Sequence, residues 1–210
     1  MNLAIGIDPG YKQTGIVIRE ATARDKIIGY AVLSCPRNGS PVQRARNLAN
    51  KIVRIIEELI LEYRETEDWK SGGLSNKLLW AENEFVIEMP VFANNPDTFT
   101  VQVRLVEEVE QEIESTFRGT LREIMPTSSK YLAAKKGNAS KVDVAEASPF
   151  NIADFPDEET WTTVADAWAH SLAAFSNTVG KVYDLKKAKE NKVRVLLTFP
   201  PGLKNVYEDN

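Results

Sequence analysis

Three strand-like runs stand back to back near the start of the chain: "LAIGID" (3–8), "TGIVIRE" (14–20) and "KIIGYAVL" (26–33), separated by Gly, Pro and charged turn residues. β-branched and apolar residues at this spacing predict a three-stranded antiparallel meander. The periodicity then changes. In "SPVQRARNLANKIVRIIEELILEYRE" (40–65), Ala45, Leu48, Ile52, Ile55 or Ile56, Leu59 and Tyr63 recur at helical spacing. Ser40 is the expected N-cap, with Pro41 at the first helical position and Gln43 completing a capping box. Strand and helix alternate from there. "NEFVIEM" (83–89) predicts a strand, and 97–118 a helix with Asn95 as N-cap, Pro96 at its start and Val106, Val109, Ile113 and Phe117 on one face. "LREIM" (121–125) predicts another strand, followed by two short helical pieces within 126–147 and a helix over 160–179. A meander feeding alternating strands and helices predicts an α/β fold, a mixed five-stranded sheet with helices on both faces.

At 210 residues with 43% hydrophobic content, the chain can bury a sizeable core, which favours one domain with an appendage. We expect a domain over residues 1–180 and a basic C-terminal extension over 181–210, where lysines accumulate around a Pro-Pro-Gly break. The motif "VRVLLTF" (193–199) in that extension has the composition of an edge strand. No apolar run approaches the roughly 20 residues that span a bilayer, and the first residues lack a secretory pattern, so a cytoplasmic protein without membrane contact is expected. A single cysteine, Cys35, excludes an intrachain disulfide framework and a cysteine-built zinc site.

The net charge is -4, which by itself argues against nucleic acid. Its distribution argues otherwise. Acids crowd into 57–68 and 107–114, as on solvated helix faces, whereas no Asp or Glu occurs from Ala31 to Ile56 or from Pro126 to Val142. Those two stretches carry Arg37, Arg44, Arg46, Lys51 and Arg54, and Lys130, Lys135, Lys136 and Lys141. Basic patches on an acidic body can still hold phosphates locally.

Two of the apolar runs end in a carboxylate, Asp8 after "AIGI" and Glu88 after "FVI". Side chains at the carboxyl ends of central strands face the crevice where function usually lies in open α/β sheets. A third acid, Asp166, sits among alanines and aromatics in "VADAWAHSLAAF", where an isolated ionised carboxylate would be costly unless a cation accompanies it. Asp8 alone reads equally as a turn residue, Glu88 as a strand-end charge and Asp166 as the partner of a lysine. Together they point to divalent cations: carboxylate and water oxygens suit Mg2+ or Mn2+, and two ions about 4 Å apart can activate water and stabilise the leaving oxygen in phosphodiester cleavage.

Four segments, "IGIDPGYKQTG", "FVIEMPVFANN", "SKYLAAKKGNASKVDV" and "VADAWAHSLAAF", in this order, resemble the signature segments of RuvC-type Holliday-junction resolvases of the ribonuclease H-like superfamily. The resemblance spans residues 3–176 and leaves the C-terminal extension outside. It implies a ribonuclease H-like fold and a homodimeric endonuclease that makes paired nicks in branched DNA, specifically four-way junctions, using two Mg2+ ions per site, with Mn2+ as a substitute and no nucleotide cofactor. It implies a bacterial or bacteriophage setting. Asp8, Glu88 and Asp166 would be the catalytic metal ligands. Lys130 and Lys141 fall where the family has lysines that handle DNA, with Lys135 and Lys136 beside them, and Lys12 matches a basic position of the first segment. Val91 and Phe92 occupy the loop from which an apolar residue enters the junction. Val101 and Leu105 would form a spare helix face for the dimer.

The chain departs from the family pattern at Thr163, which stands where a second acid or a histidine is usual. Either the Thr163 hydroxyl holds a water, or an acid from 157–159 folds in. His170, one helical turn beyond Asp166, is either a packed core residue or a member of the site. Two other functions share the fold: a branched-DNA-binding protein with little or no cleavage, and a nuclease acting on flaps or RNA–DNA hybrids. An ATP-using relative of the sugar-kinase type would need a duplicated domain, and the sequence has no internal repeat.

Overall fold

In the computed structural model, described over residues 2–35, 38–64, 83–91, 96–117, 119–176 and 180–184, the meander is present. Strands β1 (Leu3–Asp8), β2 (Thr14–Glu20) and β3 (Ile27–Leu33) pair antiparallel. Helix α1 (Pro41–Arg64) follows, and strand β4 (Glu84–Glu88) then enters beside β1 in parallel. Next come α2 (Pro96–Thr116), β5 (Thr120–Ile124) parallel to β4, and the helices α3 (Pro126–Ala134), α4 (Lys141–Glu146) and α5 (Glu158–Ser171). The mixed sheet with helices on both faces matches the expectation, and it carries one strand more than expected. Lys181–Asp184, at the start of the predicted extension, form β6 antiparallel to β5, giving the order β3-β2-β1-β4-β5-β6. "VRVLLTF" and Asn95 lie outside the described residues. No helix of the described residues is long and apolar enough to cross a membrane.

The two-residue period of the strands decides what each face carries. Leu3, Ile5, Ile7, Ile16, Ile18, Phe85 and Ile87 point to one side, into the larger core beneath α1 and α2. Ala4, Val17, Val86 and Ile124 point to the other, toward α3 and α5. A capping box starts α1: Gln43 N–H donates to Ser40 Oγ at 3.3 Å, and Ser40 N–H donates to Gln43 Oε1 at 3.3 Å. Leu105, expected on a spare face of α2, is fully buried in the core with α1 residues, and Val101 is half-buried. The face proposed for self-association is thus used to hold the domain together, because burying an apolar stripe against the neighbouring helix removes it from water at once.

Helix α5 ends earlier than its periodicity predicts, at Ser171, followed by a turn in which Phe175 takes a φ of 61°. Arg19 supplies the reason. It is 4% exposed and donates to Ser171 Oγ at 2.9 Å, to the Ser171 carbonyl at 2.7 Å and to the carbonyls of Glu20 and Ala21. Burial lowers its pKa to about 10, yet a cation bonded to carbonyls at a helix C-terminus remains well matched. Across the sheet, Glu84 and Arg122 form a buried ion pair, and Glu84 accepts from Phe175 N–H at 2.8 Å. The end of α5 is therefore fastened from two strands.

Glu110, on α2, makes stability depend on pH. Burial, then the charges of Glu123, Glu114 and Glu107, raise its pKa to about 8, and its Oε1 has no hydrogen-bond partner. In the unfolded chain a glutamate titrates near pH 4.3. Between those values the folded state keeps a proton that the unfolded state has released, so stability falls as pH rises through the window. Glu110→Gln should melt about 5 °C above wild type at pH 8.5 and together with it at pH 4. Equal melting temperatures at pH 8.5 would refute the buried carboxyl.

Candidate functional site

Strand register brings the first two acids together. Ile7 pairs with Ile87 in the parallel β1–β4 ladder, so Asp8 and Glu88 leave the sheet side by side. Both share the parity of Gly6 and Val86, which turns their carboxylates toward α5. Behind Asp8 the chain bends sharply. Gly10 N–H donates to Thr14 Oγ1 at 3.2 Å, and that hydroxyl donates to the Gly10 carbonyl at 2.9 Å. A Cβ on Gly10 would lie 2.3 Å from the Gln13 carbonyl oxygen, so the turn closes only around glycine.

Helix α5 delivers the other groups. Asp157 caps it by accepting from Thr160 N–H at 2.7 Å. Its backbone lies directly on the sheet: a Cβ on Gly6 would sit 1.9 Å from the Ala167 carbonyl oxygen, and one on Gly15 2.4 Å from that of Thr163. The absence of two side chains on β1 and β2 thus sets the depth at which α5 presents Asp166 and His170. His170 is 1% exposed, with Nε2 3.2 Å from Glu88 Oε2 and 4.0 Å from Asp8 Oδ1. These are charge-pairing distances; neither ring nitrogen makes a hydrogen bond of good geometry. Asp166 Oδ2 lies 3.1 Å from Lys141 Nζ.

The electrostatics of the group are strained. Burial, assisted by Asp8 and Asp166 and opposed by His170, raises the Glu88 pKa to about 7. Burial and the charge of Asp8 raise that of Asp166, against the pull of Lys141 and His170. For His170, burial opposes the charged form, but Asp8, Glu88 and Asp166 together outweigh it and the pKa is raised. Lys141 follows the same logic: burial opposes its charge, and Asp166, Asp8 and Glu88 raise its pKa. Burial and neighbouring carboxylates thus raise the pKa of both Glu88 and Asp166, and added positive charge would favour their ionised forms.

The donor set fits a divalent cation. One ligand atom each of Asp8, Glu88 and His170 lie within 4.8 Å of one another, and the imidazole Nε2, without a hydrogen bond of good geometry, faces the two carboxylates. Two carboxylates with one imidazole suit Mn2+ or Mg2+, the nitrogen favouring the former. Asp166 stands beside this group, held by Lys141 rather than within it.

The site opens into a cleft of about 790 Å³, whose lining includes Asp8, Lys12, Gln13, Glu88, Gln102, Lys141, Glu159 and Thr163. The structure thus brings Asp8, Glu88, Asp166, His170, Lys12, Lys141 and Thr163 into one region. Thr163 donates to the Glu159 carbonyl at 2.8 Å and lies 3.0 Å from the Gln13 side-chain amide. The acids of 157–159 do not fold in: Asp157 is the helix cap, and Glu159 pairs with Lys12 at 2.6 Å. His170 occupies the space beside Asp8 and Glu88 instead. Lys130 is half-buried on α3, Lys135 is the residue that caps its C-terminus with a φ of 61°, and exposed Lys136 follows in the connection to α4 and Lys141. Val91 is 44% exposed and borders a small hollow with Pro9 and Glu88; Phe92 lies outside the described residues. Gln13 carried no sequence signal as a site residue, since a polar turn is an ordinary place for it; Glu159, one of the 157–159 acids weighed above, lines the cleft but stands outside the group of Asp8, Glu88 and His170.

No family model matches the chain, and neither does any curated protein. Among solved structures it is similar to that of Thermus thermophilus RuvC, with a TM-score of 0.56 and 13% identity over 85% of this chain and 98% of that one. It is similar also to T. thermophilus RuvC in complex with Holliday junction substrate, with a TM-score of 0.56 and 11% identity over 86% and 99% of the two chains. The chain has a RuvC-like, ribonuclease H-like fold.

Proposed function

We propose that this chain is a divalent-metal-dependent endonuclease that resolves four-way DNA junctions by paired nicks. The observation that carries the reading is the convergence of Asp8, Glu88, Asp166 and His170 at the carboxyl ends of β1 and β4, beside Lys141, on a RuvC-like fold. That a RuvC of this fold is known in complex with junction DNA supports the choice of substrate.

Asp8, Glu88 and His170 would hold one cation, and Asp166 with Asp8 a second. Bound there, divalent cations lower the pKa of water and neutralise charge developing on the phosphate and the departing oxygen. The protein's own groups do the rest. Glu88 holds a proton up to about pH 7 and must release it to become a ligand, so metal affinity rises with pH through that value. Lys141 places its ammonium where a non-bridging phosphate oxygen would enter the cleft. Lys130, Lys135 and Lys136 extend the positive track from it and position backbone without reading bases. Val91, and Phe92 next to it in the sequence, would meet the unstacked bases at the branch. Paired nicks require two such sites, so the reading includes a two-fold dimer.

The test is nicking of an end-labelled synthetic four-way junction, compared with linear duplex, a flap and an RNA–DNA hybrid, in Mg2+, Mn2+ or EDTA. Symmetric nicks confined to the junction, and absent in EDTA, are expected. Preference for the hybrid or the flap would transfer the activity to a related nuclease. Tight junction binding without nicks in either metal would make the protein a structural DNA-binding one.

A further inference from the structure

Lys141 owes its place to the start of a short helix. Ser140 Oγ accepts from Asp143 N–H at 3.1 Å and Asp143 Oδ2 accepts from Ser140 N–H at 2.8 Å, a capping box that makes Lys141 the first residue of α4. Val144 and Ala145 then bury α4 in the same core as Val164, Ala165 and Trp168 of α5. The side chain of Lys141 is 62% exposed and that of Asp166 12%, and their charged atoms meet at 3.1 Å. The stem therefore borders the open cleft while the ammonium reaches inward to a carboxylate that water scarcely touches.

The two cation positions of the nuclease reading are unequal. Asp8, Glu88 and His170 each bring a ligand atom to the first, and His170 Nε2, on a residue 1% exposed, makes no hydrogen bond of good geometry. The second would have the carboxylates of Asp8 and Asp166. The residue one turn before Asp166 adds no charge to it, since Thr163 donates its hydroxyl to the Glu159 carbonyl at 2.8 Å. A positive charge already stands there. The Lys141 ammonium contacts Asp166, and the charges of Asp8 and Glu88 act on it too. A divalent cation coordinated by Asp166 would meet that ammonium at close range, and like charges repel strongly where water is largely excluded.

We propose that in the DNA-free protein the Lys141 ammonium fills the second cation position, so that the resting site takes a single divalent cation, at Asp8, Glu88 and His170, and admits another only when Lys141 leaves Asp166. The inference rests on the nuclease reading and adds the order in which its site is completed. A phosphate entering the cleft offers the ammonium another partner, and the exposed stem lets it turn there without moving α4. Lys141 is thus a positioning residue that couples the arrival of substrate to the completion of the site.

Mn2+ binding to the DNA-free protein at about pH 8, where metal ligands are free of protons, tests this by calorimetric titration and electron paramagnetic resonance. Wild type should take up one Mn2+ per chain and show the signal of an isolated ion. Lys141→Met, which keeps the stem and removes the charge, should take up two, the second at least about tenfold tighter than any further uptake by wild type, with the signal of a coupled pair. Lys141→Arg should stay at one, as should Asp166→Asn, because the first position does not use Asp166. The count is a readout that a general loss of positive charge would not move. Thermal melts show which variants are folded, and Lys141→Gln replaces Lys141→Met should the latter fail. Two Mn2+ on wild type, the same count in wild type and Lys141→Met, or loss of the ion in Asp166→Asn would overturn the proposal and leave a metal-dependent nuclease standing. Wild type that binds no Mn2+ would overturn both.

Discussion

Replacing Asp8 with asparagine will reduce junction nicking by at least about a thousandfold while leaving junction binding in EDTA as tight as wild type or tighter. The two halves of the expectation have one cause. Asp8 faces Glu88, Asp166 and His170 at once, so the substitution removes the carboxylate that both proposed cation positions would share, and a single charge-stabilising group is already worth a hundredfold to about a thousandfold in rate. Without metal, that same carboxylate only repels the incoming phosphate, and asparagine keeps its volume. Single-turnover nicking in Mn2+ and anisotropy in EDTA measure the two effects separately. A variant that cuts within tenfold of wild type would move the chemistry away from Asp8; one that cuts and binds equally poorly would indicate a damaged fold.

The second large effect concerns a residue with no side chain. Gly6→Val is expected to cost about 3 kcal/mol, or roughly 6–12 °C in melting temperature, and to abolish nicking even where the protein remains folded. The valine Cβ would overlap the Ala167 carbonyl oxygen of α5, and this is backbone, which cannot rotate aside. The helix must lift, and Asp166 and His170 lift with it. Displacement of reacting groups by about 1 Å is enough to lose about a hundredfold in rate. Calorimetry and the junction assay at 20 °C would separate the losses. Wild-type stability in Gly6→Val would mean that α5 does not rest on β1 as closely as described.

The glycines show how much of this was legible beforehand. The meander, the alternation after it and the positions of Asp8 and Glu88 at strand ends follow from apolar periodicity, because a strand's two-residue repeat and a helix's longer one are written directly into the order of residues. Gly6 and Gly15 could be read as tight-turn or strand-weakening residues; that a helix backbone lies on them is a fact about α5, more than 140 residues away. His170 was ambiguous for the same reason. One turn beyond Asp166 it shares that residue's side of the helix, but only the register of β1 against β4 puts Glu88 and Asp8 within reach of its ring. The early end of α5 depended on Arg19, and the covering of Leu105 on α1, neither of which local periodicity encodes.

By itself, then, the sequence determined the order and type of the elements, the carboxylates at the strand ends and the basic stretches, since these depend on neighbours in the chain and on the period with which side chains turn. The tertiary structure alone decided that His170 rather than an acid from 157–159 stands with Asp8 and Glu88, that Lys181–Asp184 lengthen the sheet, and that Lys141 is the lysine on Asp166. Each of these is a meeting between residues distant in sequence, and which of many chemically acceptable partners meet is set by how deeply the helices settle on the sheet.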